Sequence, residues 1–204
     1  MYTHCKNVQR RDEEAAKLLA GTGALAHSIK GGLGSASLLL TAGFTVAALM
    51  AVNSHGTVVN PKTGRPWEIG LEIEGEFEDA GQRAVKLPPQ PPGGPARNTT
   101  IGVVATDAIL TKAQALKVAQ MAHDGLARAI RPAHTMFDGD TIFCLATCRK
   151  SLPETAEVFS AGEAQAVNEI GHAAADCTAR AIISAILTAR TLAGLAAFYD
   201  LEKL

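Results

Sequence analysis

A proline-rich stretch constrains this chain more than any other segment of its sequence. Residues 87–97 read Leu-Pro-Pro-Gln-Pro-Pro-Gly-Gly-Pro-Ala-Arg and contain five prolines. Each proline lacks an amide donor and fixes its backbone φ angle, so the stretch cannot form a helix or a central strand. Directly after it, residues 99–106 are rich in β-branched side chains, which favour a strand. The sequence therefore predicts an exposed linker that divides the chain almost in half and leads into a buried strand.

Three segments before this linker carry strand-like patterns. Residues 35–40 and 44–52 are apolar almost throughout, which is typical of strands covered on both faces, and a tight turn joins them. In residues 68–79, apolar side chains alternate with glutamates. A period of two predicts a half-buried strand with an acidic outer face.

Helical patterns dominate the part of the chain that follows. Apolar side chains recur at helical spacing over residues 112–130. Residues 138–146 are typical of a polar turn that feeds a buried strand, and a long apolar helix is predicted from about residue 160 to about residue 195. The order of strands, linker, strand, helix, strand and helix indicates an α+β fold in which helices cover a mixed sheet.

The composition indicates a globular protein. The chain has 204 residues, of which 47% are hydrophobic and 19% charged, so it can bury a core and is not disordered. A net charge of −1 and an aromatic share of 4% argue against a nucleic-acid partner, which would require a basic, stacking surface. The four cysteines form no CxxC pair, which favours a reducing compartment. Without a signal peptide or an apolar run of about 20 residues, we expect a cytoplasmic protein with no membrane partner.

Nucleotide binding is not expected, although glycines are frequent near residue 21. Residues 21–26 fit the pattern G-x-G-x-x-A of a dinucleotide site. That loop must follow a strand, whereas here it follows a charged helix predicted at residues 10–19. The glycines are better explained by tight turns and close backbone approach.

A few residues are candidates for chemistry, each with a structural alternative. If the bond between Asn98 and Thr99 were cut, Thr99 would hold a hydroxyl nucleophile and an α-amine base in one residue. The alternative is a loop that ends in a strand. Lys30, within an apolar and glycine-rich stretch, lies either at a rim or at a reactive site. Asp138 and Asp140 can hold a metal, orient an amine or cap a turn.

Taken together, several ordered blocks resemble the self-processing L-aminopeptidase/D-esterase family, which includes DmpA, the β-peptidyl aminopeptidases and the nylon-oligomer hydrolase. The resemblance runs from about residue 20 to the C-terminus. The matching blocks are Gly21-Thr22-Gly23-Ala24, Lys30-Gly31-Gly32-Leu33-Gly34, Val52-Asn53-Ser54 with Gly56, Asn98-Thr99-Thr100-Ile101, and His134-Thr135 with Asp138-Gly139-Asp140-Thr141.

The resemblance implies a role for each candidate residue. Family members cut themselves before a serine or threonine, and Thr99 matches this nucleophile, with Asn98 before the scissile bond. Asn53 matches an asparagine that stabilises the oxyanion. Lys30 matches a lysine beside the nucleophile. The remaining matches are two carboxylates near the nucleophile, Asp138 and Asp140.

The resemblance also implies a fold and an assembly. The family fold is a four-layer αββα sandwich, here incomplete at the N-terminus because residues 1–19 form a charged segment that matches nothing. Residues 20–204 would form one hydrolase domain. Within it, the processing linker 87–98 separates an α part, 20–98, from a β part, 99–204. Processed protomers would assemble as homotetramers, and the chemistry requires no metal or organic cofactor.

Three functions follow from these observations. The first is a self-cleaving aminopeptidase, amidase or esterase that acts on small peptides or related amides. The second is acyl transfer, as in ornithine acetyltransferases, which also cleave themselves before a threonine. The third is an inactive, shortened remnant of the hydrolase family.

Overall fold

The computed structural model describes residues 2–3, 19–90, 98–154 and 162–204. Within these residues the strands form a five-stranded sheet and a two-stranded hairpin. In chain order the elements are β1 (Tyr2–Thr3), α1 (Leu19–Thr22), β2 (Leu25–Ala26), β3 (Ile29–Lys30), β4 (Gly32–Leu40), β5 (Thr45–Asn53), β6 (Thr99–Ala108), α2 (Lys112–Ala129), β7 (Thr141–Lys150) and α3 (Gly162–Leu187).

The five-stranded sheet has the order β1-β4-β5-β6-β7. Its neighbours are antiparallel except for β6 and β7, which are parallel. A parallel pair needs a crossover connection, and α2 lies in that connection. The mixed sheet and its helices confirm the α+β prediction, and the strands expected at 35–40, 44–52 and 99–106 are present as β4, β5 and β6.

One face of this sheet carries the core. Val46 and Met50 on β5 and Val104 on β6 are at most 1% exposed on that face. The helices α2 and α3 pack there and approach each other closely, because Gly125 leaves its position free for the Ala175 carbonyl. By length and composition α3 is apolar enough to cross a membrane, but 94% of its most apolar window is buried inside the fold. We therefore interpret α3 as the core helix of this layer.

The other face of the sheet is open within the described residues. Leu49 on β5 is 49% exposed, so the expectation that residues 44–52 are covered on both faces is wrong. The strand predicted after residue 138 is present as β7 but lies at the edge of the sheet, where Phe143 and Leu145 are exposed. An apolar run indicates a strand, but it cannot show how many layers pack against that strand.

The acidic strand predicted at residues 68–79 is wrong. This segment contains a short 3₁₀ helix, Ile69–Leu71, and a series of turns in which Glu74, Gly75 and Glu78 have positive φ angles. Glu76 does not face solvent: its carboxylate receives two hydrogen bonds from the buried Arg180 guanidinium, at 2.6 and 2.7 Å. A charged partner distant in sequence overrides the local alternation.

The predicted end of the last helix differs from the structure, and some other predicted elements fall on residues that the structure does not describe. The last helix ends at Leu187 instead of near residue 195, and a turn with Gly194 at φ +82° follows. The helix expected at 10–19 and the beginning of the last helix near residue 160 fall largely outside the described residues. Within the predicted linker, residues 87–90 have no regular structure, and 91–97 lie outside the described residues.

Candidate active site

The end of β5 and the start of β6 bring two predicted site residues together. Asn53 and Thr99 are directly opposite each other in the antiparallel register. Their neighbours Val52 and Thr100 are fully buried on the helix-covered face. Because side chains alternate along a strand, Asn53 and Thr99 lie on the open face of the sheet, where both are half-buried.

The peptide bond between Asn98 and Thr99 is held by the loop that precedes β7. The Thr99 hydroxyl donates a hydrogen bond to the Asn98 carbonyl oxygen, the oxygen of the bond predicted to be cut. The Gly139 amide donates to the same oxygen at 3.2 Å, and the Asn98 amide donates to the Phe137 carbonyl at 3.2 Å. Asn98 is only 7% exposed. This carbonyl therefore accepts two hydrogen bonds in a nearly dry environment, one of them from the adjacent hydroxyl.

Asp140 fixes the strand that carries the nucleophile candidate. Its side chain is 3% exposed. One carboxylate oxygen accepts the Thr100 amide at 2.8 Å, and the other accepts the His134 amide at 3.2 Å and lies 2.9 Å from His134 Nδ1. Three donors thus surround one buried carboxylate. They join the start of β6 to the loop before β7.

Asp138, like Asp140, accepts hydrogen bonds from two different segments, the loop after β5 and the loop before β7. One of its oxygens accepts the His55 amide at 3.1 Å, just after β5. The other accepts the Thr135 amide at 3.1 Å and the Thr135 hydroxyl at 2.6 Å. The two carboxylates predicted near the nucleophile therefore both lie beside the Asn98–Thr99 segment, with Asp138 paired with Asn98 and Asp140 bonded to Thr100. Across the residues that the structure describes, no group of three or more His, Cys, Asp or Glu side chains is placed to hold a metal ion.

Asn53 has a fixed side-chain orientation. Its carbonyl oxygen Oδ1 accepts the Leu25 amide at 3.0 Å. Because the two ends of a side-chain amide are rigidly linked, this bond also fixes the direction of the donor Nδ2. A fixed amide donor beside Thr99 suits the stabilisation of a developing negative charge.

Lys30 lies one step further from Thr99. It pairs with Leu25 in the β2–β3 hairpin. The Leu25 amide donates a hydrogen bond to Asn53, and Asn53 lies opposite Thr99, so two residues connect Lys30 to Thr99. Lys30 is 4% exposed, and its Nζ donates to the carbonyls of Ala24 at 3.1 Å and Gly31 at 2.9 Å, and to that of Gly21. Burial lowers the pKa of Lys30 from its ordinary value of 10.5. In this arrangement the lysine organises the glycine-rich loop behind Asn53.

The structure thus brings five predicted residues to one end of the sheet and places the sixth, Lys30, behind them. Their individual roles stay predictions. The residues gathered at this end are Asn53, Asn98, Thr99, Asp138 and Asp140.

Sequence reasoning gave no role to three contributors, although two of them, Gly139 and His134, stand in one of the matching blocks. Gly139 supplies an amide to the Asn98 carbonyl, and His134 contacts Asp140 through both its backbone and its ring. The His123 ring on α2 lies 5.0 Å from that of His134. Burial, followed by the charge of His134, lowers the pKa of His123 from its ordinary 6.5. The matching block places His134 and Gly139 near the candidate carboxylates but does not indicate these contacts, and no sequence signal marks His123.

Comparison with known proteins matches this chain to one peptidase family over most of its length. The sequence profile of peptidase family S58 matches residues 6–198. An uncharacterized aminopeptidase of Mycobacterium tuberculosis is 46% identical over 190 residues, which is 89% of this chain and 55% of the relative.

Solved structures show the same fold. A Pyrococcus horikoshii protein has a TM-score of 0.58 and 27% identity, and the match covers 85% of this chain and 44% of that one. A second solved structure is the Ochrobactrum anthropi L-aminopeptidase D-Ala-esterase/amidase, described as a variant of the Ntn hydrolase fold. It has a TM-score of 0.57 and 22% identity, and the match covers 89% of this chain and 46% of that one. The described helix layer and sheet layer therefore correspond to part of the predicted αββα sandwich. The chain spans about half the length of these relatives. With a profile that matches nearly its whole length, it belongs to peptidase family S58.

Proposed function

We propose that this chain is a self-cleaving hydrolase of small peptides or related amides, in which Thr99 is the nucleophile. The observation that carries the proposal is the pair of hydrogen bonds on the Asn98 carbonyl, one from the Thr99 hydroxyl and one from the Gly139 amide. The hydroxyl thus lies within reach of the bond it would cut. The aminopeptidase name of the 46% identical relative supports an amide substrate.

The first reaction is cleavage of the chain itself. The Thr99 oxygen attacks the Asn98 carbonyl carbon, and the Gly139 amide stabilises the negative charge that develops on the oxygen. The bond between carbon and nitrogen breaks, and the hydroxyl proton passes to the departing amine. Asn98 is then held as an ester on Thr99 until water hydrolyses it. The products are residues 1–98 and a chain that begins at Thr99.

The new N-terminus would then act on substrates. The freed α-amine has a reference pKa of about 7.7–8.0, so much of it is neutral near pH 7 and can accept the hydroxyl proton. The Asn53 amide, whose orientation Leu25 fixes, would stabilise the substrate oxyanion. Asp140 and Asp138 would hold the protonated amine by charge-assisted hydrogen bonds. No step requires a metal or an organic cofactor.

The test combines two variants of one side chain. Thr99→Ala removes the hydroxyl and should abolish both self-cleavage and hydrolysis of an amino acid p-nitroanilide, whereas Thr99→Ser keeps a hydroxyl and should retain both. Intact-mass spectrometry of fresh and aged protein follows the first activity, and absorbance follows the second. A folded wild-type chain that keeps its full-length mass, or hydrolysis that persists in Thr99→Ala, would rule out this function.

A further inference from the structure

One titratable side chain beside the nucleophile, the ring of His134, has no part in the reaction proposed above. His134 reaches a single oxygen of Asp140 twice, with its backbone amide at 3.2 Å and with ring Nδ1 at 2.9 Å. The other oxygen of Asp140 accepts the Thr100 amide at 2.8 Å, at the start of β6. His134 therefore holds the carboxylate oxygen that does not contact the strand carrying Thr99.

The backbone of His134 has an unusual conformation at this contact. Its φ angle is +54°, in the left-handed region that few residues other than glycine adopt, although histidine, asparagine and aspartate are enriched there. Such a conformation persists where the surrounding contacts favour it. Two donors that converge on one oxygen of Asp140 are contacts of this kind.

The contact also determines which ring nitrogen carries a hydrogen. An ionised carboxylate accepts hydrogen bonds and donates none, so Nδ1 of His134 is the donor. Nε2 of the neutral ring is then unprotonated, and a second proton can bind only there. The ring is 40% exposed, so solvent can supply this proton. With a neutral ring, His134 and Asp140 together carry one net negative charge, and with a protonated ring they carry none.

The helix packed against this loop contributes a second histidine. The His123 ring on α2 lies 5.0 Å from the His134 ring. Burial, followed by the charge of His134, lowers the pKa of His123, while Asp140 and Asp124 act in the opposite direction. His123 therefore stays neutral at pH values where an ordinary histidine is protonated. Of the two rings, His134 is the one that faces a carboxylate and can hold a positive charge beside it.

The other charged side chains of the loop have their own partners. Asp138 accepts the His55 and Thr135 amides and the Thr135 hydroxyl. Arg131 pairs with Glu68 at 3.1 Å, and its guanidinium lies over a tryptophan ring. The carboxylate of Asp140 is thus the group that a charge on His134 affects most directly.

We propose that His134 is a positioning residue for Asp140, and that protonation of its ring slows self-cleavage as the pH falls. This inference rests on the proposed function, in which the departing amine of Thr99 gains a proton and Asp140 stabilises the ammonium. The carboxylate acts at short range, because a Cβ on the preceding Gly139 would lie 3.1 Å from Thr99 Oγ1. A neutral His134 leaves the full negative charge of Asp140 to face the ammonium. A protonated His134 neutralises that charge, so the departing amine loses its stabilisation.

Self-cleavage rates of the full chain at about pH 8 and about pH 5.5, measured by intact-mass spectrometry, test this role. His134→Asn keeps a donor at the position of Nδ1 and tolerates a positive φ angle, but it cannot titrate. The ratio of the two rates should be about tenfold larger in the wild type than in His134→Asn, because an opposite charge within about 4–6 Å shifts a pKa by about 1–3 units. Comparing ratios cancels the steps whose pH dependence all chains share, such as hydrolysis of the ester.

Two more chains separate position from charge. His134→Gly also tolerates a positive φ angle but has no side-chain donor, so it should cleave slowly at both pH values. His172→Asn is the matched control, since His172 on α3 also faces a carboxylate, that of Asp176 at 3.6 Å. This control should keep the wild-type ratio. Circular dichroism checks that each chain is folded.

A second measurement does not depend on cleavage. In the uncleaved Thr99→Ala chain, ¹⁵N–¹H NMR of the histidine rings should show the neutral His134 ring protonated on Nδ1, with the signal assigned by its loss in His134→Asn. A ring protonated on Nε2 alone would overturn the positioning role, and so would a wild type whose rate ratio equals that of His134→Asn. A wild type that does not cleave at all would refute the proposed function and the pH effect with it, while the NMR spectrum would still decide whether His134 holds Asp140.

Discussion

Asp140→Asn tests how much one buried carboxylate contributes to this end of the sheet. The side chain is 3% exposed and is surrounded by the Thr100 amide at 2.8 Å, the His134 amide at 3.2 Å and His134 Nδ1 at 2.9 Å. Asparagine keeps the size and one acceptor oxygen but replaces the other oxygen with an NH₂ donor. If Oδ1 stays on Thr100, the new NH₂ faces both the His134 amide and His134 Nδ1. The hydrogen bond from the His134 amide is lost and two donors oppose each other, while Nδ1 stays paired only by accepting from the NH₂.

The magnitude follows from these contacts. A hydrogen bond to a charged group contributes about 1.5–3 kcal/mol, and a buried donor without an acceptor costs about 1–3 kcal/mol. We therefore expect the free energy of unfolding to fall by about 2 kcal/mol, with the fold retained. The carboxylate would also no longer stabilise the ammonium that forms at Thr99. A loss of about 1.5–3 kcal/mol in that step slows self-cleavage by roughly 10- to 100-fold.

Urea denaturation followed by circular dichroism measures the first effect, and an intact-mass time course measures the second. Asp107→Asn is the matched control. Asp107 accepts the Thr45 amide at 2.9 Å and pairs with Lys150 at 2.8 Å, but at the opposite end of the sheet. It should lose stability without losing cleavage. Equal cleavage rates in Asp140→Asn and Asp107→Asn would refute the reasoning.

Two further predictions concern the neighbours of this carboxylate. In Gly139→Ala, the new Cβ would lie 3.1 Å from Thr99 Oγ1 and displace the hydroxyl by a few tenths of an ångström. A displacement of about 1 Å can slow a reaction roughly 10²-fold, so this smaller one should slow self-cleavage several-fold. Mass spectrometry measures the rate. Gly23→Ala, where a Cβ meets nothing within 4 Å, should cleave at the wild-type rate, and equal rates in both would contradict the argument. Burial and the charge of His134 lower the pKa of His123, so the unfolded chain binds this proton more readily than the folded one. The free energy of unfolding should therefore fall as pH drops below the ordinary pKa of 6.5, by up to about 1.4 kcal/mol per pH unit. Urea titrations near pH 7.5 and pH 5.5 should show a smaller loss in His123→Asn, and an identical loss would remove His123 from this role.

Local sequence determined most of the secondary structure. Residues 99–106 form a strand because β-branched side chains fit an extended, pleated backbone. The helix at 112–129 begins where Thr111 and Gln114 form a reciprocal capping box, which is a local arrangement of neighbours. The blocks around Asn53, Thr99 and Asp138 were sufficient to indicate the family, because each block is short and contiguous.

Tertiary structure decided what periodicity cannot encode. Residues 68–79 alternate as a strand would, yet Glu76 turns inward because Arg180, 104 positions away, is buried beside it. The contact between Gly139 and the Asn98 carbonyl likewise depends on how the loop before β7 packs beside β6. A sequence pattern reports the period of one segment, whereas burial and hydrogen bonding depend on which distant segment packs against it. For the same reason, the apolar runs of β4 and β5 predicted strands correctly but not the open face, which only the packing of the helices on one side defines.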